Sequence, residues 1–120
     1  ELQLFKWLDS QSFIEEWNSE EIIVPYICRT DGRPHRYFVD VWMKFKDGRI
    51  LIVEVKPEKE TKPPVAPKKK TMKYVEQVMT YAKNISKWEQ AKEYAEDRKW
   101  TFEIWTEKTL KGLGMTLLTG

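Results

Sequence analysis

A chain of 120 residues with 41% hydrophobic and 33% charged side chains can bury one compact core, and it is too apolar to be a disordered chain. One cysteine (Cys28) and one histidine (His35) are too few for a Cys/His zinc site or a disulfide framework, so a reducing intracellular compartment is expected. No apolar run approaches the ~20 residues that span a bilayer, and the opening Glu-Leu-Gln-Leu-Phe-Lys has no secretory-leader pattern.

The net charge of +2 is unevenly spread: Lys56 to Lys73 holds seven lysines against two glutamates, a local +5. Such a stretch fits an oriented polyanion partner, although a solvated charged loop gives the same pattern.

In chain order, Leu4, Phe5 and Leu8 have helical spacing, and the spacing of Phe13, Ile14 and Trp17 predicts a second short helix over residues 11–18. Residues 22–28 read as a strand edged by Pro25, and Asp31-Gly32-Arg33-Pro34 is turn chemistry. Residues 36–46 and 49–56 are rich in β-branched and aromatic side chains and form a hairpin around Asp47-Gly48. A two-residue turn would put Asp40 and Glu54 on opposite faces. A three-residue loop with Gly48 left-handed pairs Phe45 with Arg49 and Asp40 with Glu54, and this register is the one expected.

Pro57 ends the pairing, and Pro63, Pro64 and Pro67 keep the next segment extended. From Thr71 a helix is expected with Met72, Val75, Val78, Met79 and Ala82 turned inward. A break near Asn84 and a second helix capped at Ser86 should follow. Residues 100–105 alternate as a strand, and Thr106 opens a last helical turn ended by Gly112 and Gly114. The order α-(α)-β-β-β-α-α-β over residues 1–120 describes one α/β (α+β) domain, a small mixed sheet flanked by helices. No helix shows a spare apolar seam for self-association, and the oligomeric state stays open.

Ile50-Leu51-Ile52-Val53 should be buried on both faces, yet Glu54 and Lys56 follow at once. Charges at the end of a central strand are normally paired or bind something. Two adjacent carboxylates repel, and a divalent cation relieves the repulsion. Carboxylate oxygens are the hard ligands that Mg²⁺ takes, and an ammonium at Lys56 would balance charge on a phosphoryl transition state. A surface salt-bridge cluster is the plainer alternative. Trp42 shares a strand face with Asp40 and is the one tryptophan placed to stack on a base.

Phe38-Val39-Asp40 followed by Glu54-Val55-Lys56 resembles the PD-(D/E)xK nuclease signature, with Val39 where the motif has proline. The wider set is more specific: Ile23-Val24-Pro25-Tyr26, Pro34 to Asp40, Glu54-Val55-Lys56-Pro57, Thr61-Lys62-Pro63-Pro64, Thr71-Met72-Lys73-Tyr74, and Ala82-Lys83-Asn84 leading to Lys87-Trp88. Together these resemble the head completion nucleases of T4-like tailed phages, a family itself similar to the N-terminal endonuclease domain of the transposition protein TnsA.

The resemblance implies a restriction-endonuclease-like fold and a metal-dependent DNA endonuclease, with Mg²⁺ as cofactor and Mn²⁺ able to substitute. It implies Asp40 and Glu54 as metal ligands, the Val55 backbone carbonyl as a further ligand, Lys56 as the catalytic lysine, and Glu1 in the place of the family's first-helix glutamate. Phage capsid or portal proteins would be partners, and the host cytoplasm or the virion the location. A TnsA-like transposition or repair endonuclease and a non-catalytic head-completion or DNA-binding protein are the alternatives. Lys68, Lys69, Lys70 and Lys73 are candidate phosphate contacts, with Gln77 one turn further on and His35 at the rim. Little sequence specificity is expected.

Overall fold

The computed structural model describes residues 2–114. Leu4 and Leu8, one turn apart on helix α1 (Leu2–Ser10), are buried, which fixes that helix against the sheet. Five strands follow: β1 (Ile14–Ser19), β2 (Ile23–Ile27), β3 (Pro34–Phe38), β4 (Val41–Phe45) and β5 (Ile50–Val55). A 3-10 turn (Glu58–Thr61), a long helix α2 (Met72–Asp97), strand β6 (Thr101–Trp105) and short helix α3 (Glu107–Gly112) complete the order. The main sheet runs β1-β4-β5-β6, antiparallel except for the parallel β5–β6 pair; β2 and β3 form a separate two-stranded sheet. This is the mixed α/β arrangement expected, and it accords with a restriction-endonuclease-like fold.

The core lies in two layers. On one face Leu4, Leu8, Ile14, Val41, Met43, Leu51, Val53, Trp105 and Leu110 pack α1 and α3 onto the sheet. On the other, Ile52 meets Val24, Tyr26, Cys28, Tyr37 and Val39 of the small sheet and Ala91 and Ala95 of α2. Trp42 is half-buried against this second layer rather than presented to solvent as a stacking platform.

Residues 14–19 are a strand, not the expected second helix. The outer edge of β4 needs hydrogen-bond partners, and β1 supplies them from Ile14 opposite Phe45 to Ser19 opposite Val41. A register shift between Ile14 and Glu16 lets both Ile14 and Trp17 reach the α1 layer, which imitates the i, i+3 spacing of a helix. Stacking of Phe5 on Trp17 and of Phe13 on Phe45 adds to the strand's anchoring.

The expected strand over residues 36–46 is two strands bent at Asp40, with β3 leaving the main sheet to pair with β2. Helix α2 is also continuous, with no break at Asn84. The Ser86 hydroxyl donates to the Ala82 carbonyl one turn back and accepts the Arg29 N–H, so it serves the helix interior and not a cap. Thr71 is the true cap, accepting the Tyr74 N–H.

Only the second half of α2 is covered. Met72, Val75, Val78 and Met79 are exposed rather than turned inward, because the buried positions of the helix run from Asn84 to Ala95, where Ala91 and Ala95 join the second core layer. The chain therefore does carry a spare apolar stripe. No helix among the described residues is long and apolar enough to cross a membrane.

Candidate active site

Strand β5 lies between β4 and β6, and Ile52 and Val53 are fully buried. The hairpin takes the three-residue loop: Phe45 N–H donates to the Arg49 carbonyl at 2.8 Å, Gly48 N–H to the Phe45 carbonyl at 2.9 Å, and Gly48 sits at φ +95°. Val41 faces Val53, and the same count carried one step further sets Asp40 opposite Glu54.

The bend at Asp40 follows from its side chain. Asp40 Oδ2 accepts the Val55 N–H at 2.7 Å, taking a donor that a continuing strand would otherwise engage, so the ladder ends there. The N–H and carbonyl of an extended residue leave the same edge of a strand. The Val55 carbonyl is thus directed to the Asp40 side, while the Lys56 N–H turns the other way to the Trp105 carbonyl at 2.9 Å.

Glu54 points toward α2, on the face of Ile52, and is 5% exposed. Its Oε1 lies 3.7 Å from Lys56 Nζ, and its Oε2 is buried with no hydrogen-bond partner among the described residues. Burial pushes the Glu54 carboxyl above the usual range, against the opposing pull of Lys56 and Lys87.

Lys87 is the residue that sequence reasoning missed. It projects from α2, its ammonium 5.6 Å from the centre of the Tyr37 ring, and it feels the charge of Glu54. Burial lowers its pKa, and Glu54 partly offsets that. A signal existed: Asn84, Trp88, Ala91 and Ala95 form the inward stripe of the helix, and a lysine beside that stripe requires a partner.

An orphaned buried carboxylate oxygen, a second carboxylate at the same level of the ladder and a backbone carbonyl on the Asp40 edge of β5 make a hard-oxygen donor set that fits a divalent cation such as Mg²⁺. The other candidate residues are not gathered here. His35 Nε2 is 2.8 Å from Asp31 Oδ2 and its ring stacks on Tyr26, separated from Asp40 by about 16 Å of extended chain. Lys68, Lys69 and Lys70 are exposed on the segment leading into α2. Lys73 and Gln77 line a groove between α2 and the 59–65 segment, which reaches buried Asn84 one turn before Lys87. Glu1 lies outside the described residues.

The bent hairpin, the register that brings Asp40 level with Glu54 and the lysine two residues beyond Glu54 coincide with a family match. Residues 11–107 match the TnsA-like endonuclease N-terminal family, and the chain belongs to that family. It is also 40% identical over 114 residues to the head completion nuclease of Enterobacteria phage T4, an alignment covering 92% of this chain and 76% of that protein. No solved structure matches.

Proposed function

We propose that this chain is a divalent-metal-dependent endonuclease that hydrolyses DNA phosphodiester bonds, acting on packaged phage DNA at head completion. The observation that carries the reading is the buried, unpartnered Oε2 of Glu54 set across the ladder from Asp40 and beside Lys56. The family match and the likeness to the T4 protein support it.

Asp40, Glu54 and the Val55 carbonyl would hold the cation, with Glu1 a further ligand. Mg²⁺, or Mn²⁺ in its place, supplies Lewis-acid polarisation of the phosphate when bound. The Val55 N–H fixes the orientation of the Asp40 carboxylate, so one of its oxygens is positioned before substrate arrives. Lys56 offsets the charge that builds on the attacked phosphate. Lys87, on the opposite wall, brings a second cation to the same phosphate. The exposed lysines at 68–70 and Lys73 would contact backbone phosphates without reading bases. The host cytoplasm or the virion is the setting, with capsid or portal proteins as partners.

Supercoiled plasmid and single-stranded circular DNA, incubated with Mg²⁺, Mn²⁺ or EDTA, test the proposal. Cleavage that needs metal and is lost in Asp40→Ala and in Lys56→Ala is expected. Folded wild-type protein that binds DNA but cuts neither form would favour a structural head-completion role instead. The family match also permits a TnsA-like transposition role; copurification with a recombinase rather than with capsids would select it.

A further inference from the structure

We propose that Cys28, Asp31 and His35 form a Zn²⁺ site at the tip of the β2–β3 hairpin, separate from the carboxylate pair. By count, one cysteine and one histidine are too few for zinc; the fold supplies the third ligand. The pleat places Tyr26 opposite His35, so Cys28, two residues on, lies on the same face and diagonal to the imidazole. The turn then folds Asp31 back over both, and one ligand atom from each residue lies within 4.8 Å of the others.

Each ligand is oriented by something else. Asp31 Oδ1 accepts the Arg33 N–H at 2.9 Å, which leaves Oδ2 facing His35 Nε2 at 2.8 Å. The His35 ring stacks on Tyr26, with centroids 5.6 Å apart. Cys28 Sγ is 3.0 Å from the Thr30 hydroxyl, a contact that holds the sulfur at the hairpin tip. Zinc bonds of about 2.0–2.3 Å put tetrahedral ligand atoms roughly 3.3–3.8 Å apart, so binding requires the 2.8 Å Asp31–His35 contact to open slightly around the ion.

The donor set also selects the ion. A thiolate and an imidazole with one carboxylate suit Zn²⁺ and are poor ligands for Mg²⁺. Three protein ligands leave one position for water. Cys28 is buried, His35 is half-exposed and Asp31 is exposed, so the site opens to solvent on the Asp31 side. The same hairpin tip is tied to α2, where Arg29 donates its N–H to the Ser86 hydroxyl and pairs with Glu89. An ion held there would brace the hairpin against the helix that carries Lys87.

Co²⁺ as a spectroscopic stand-in tests this on the whole chain, in excess Mg²⁺ so that hard-oxygen sites are filled. The expected result is a thiolate-to-cobalt charge-transfer band that saturates at one ion per chain and is erased by Zn²⁺. Cys28→Ser should remove the band. Asp31→Asn and His35→Gln, both at solvent-accessible positions, should weaken Co²⁺ binding by more than about 10-fold. Glu54→Gln should leave it unchanged, which separates this site from the nuclease reading. Absence of the band in wild type, its persistence unchanged in Asp31→Asn and His35→Gln, or its loss in Glu54→Gln would each overturn the assignment.

Discussion

Replacing Glu54 by Gln should make this protein more stable and less active at once. The side chain is 5% exposed, its Oε2 is unpartnered, and burial raises its pKa despite two lysines. In the unfolded chain the carboxyl ionises at its ordinary value, so between that value and the raised one the folded state holds a proton that the unfolded state lacks. Glu54 therefore contributes most to stability at low pH, and that contribution is lost as pH rises through its folded pKa. Gln bears no charge at any pH. Relieving a buried charge whose Oε2 has no partner is worth about 1–3 kcal/mol, so above the folded pKa the variant should gain a few degrees in Tm. Below about pH 4 the two proteins should converge. Thermal unfolding in EDTA from acid to mildly alkaline pH measures this directly. Adding Mg²⁺ should stabilise wild type by mass action and leave the variant unmoved, while metal-dependent cleavage disappears. A variant less stable than wild type at alkaline pH in EDTA would show that Glu54 is held by its lysines and is not waiting for a cation.

Lys87→Gln should slow single-turnover cleavage by about 10- to 100-fold, by loss of a cation at the phosphate, with the far-ultraviolet circular dichroism spectrum unchanged; an unaltered rate would remove Lys87 from the site. Replacing Lys68, Lys69 and Lys70 together by Gln should flatten the dependence of log K on log salt for duplex DNA by up to about 3. An identical slope would show that these side chains meet no phosphate. Gly48→Ala meets no atom within 4 Å but must adopt φ +95°, so it should cost about 1–2 kcal/mol in urea unfolding without changing the m-value.

The carboxylate pairing was legible because one local feature decides it. Gly48 permits a left-handed residue, the loop length follows, and every face in the hairpin is then fixed. The buried run ending in Glu54 likewise announced a central strand. Strand β1 was not legible, since a bulge gave Ile14 and Trp17 the spacing of a helix, and only the open edge of β4 decides between the two. The split at Asp40 depends on a side-chain hydrogen bond to Val55, fifteen residues away in sequence. Ser86 carried a cap signature, yet its hydroxyl is used by Arg29 from another element. Lys87 stayed hidden for the same reason: its partner, Glu54, becomes a neighbour only after α2 docks.

The uneven cover on α2 divides one helix between two cooperative units. The turns bearing Ala91 and Ala95 open only when the sheet does, whereas the turns from Met72 to Met79 close no core and can fray at little more than the local cost of helix formation. Asn84, where burial begins, is the seam between them, and it stands one turn from Lys87. Fraying of the outer turns would therefore stay local and leave the register that sets Asp40 level with Glu54 undisturbed.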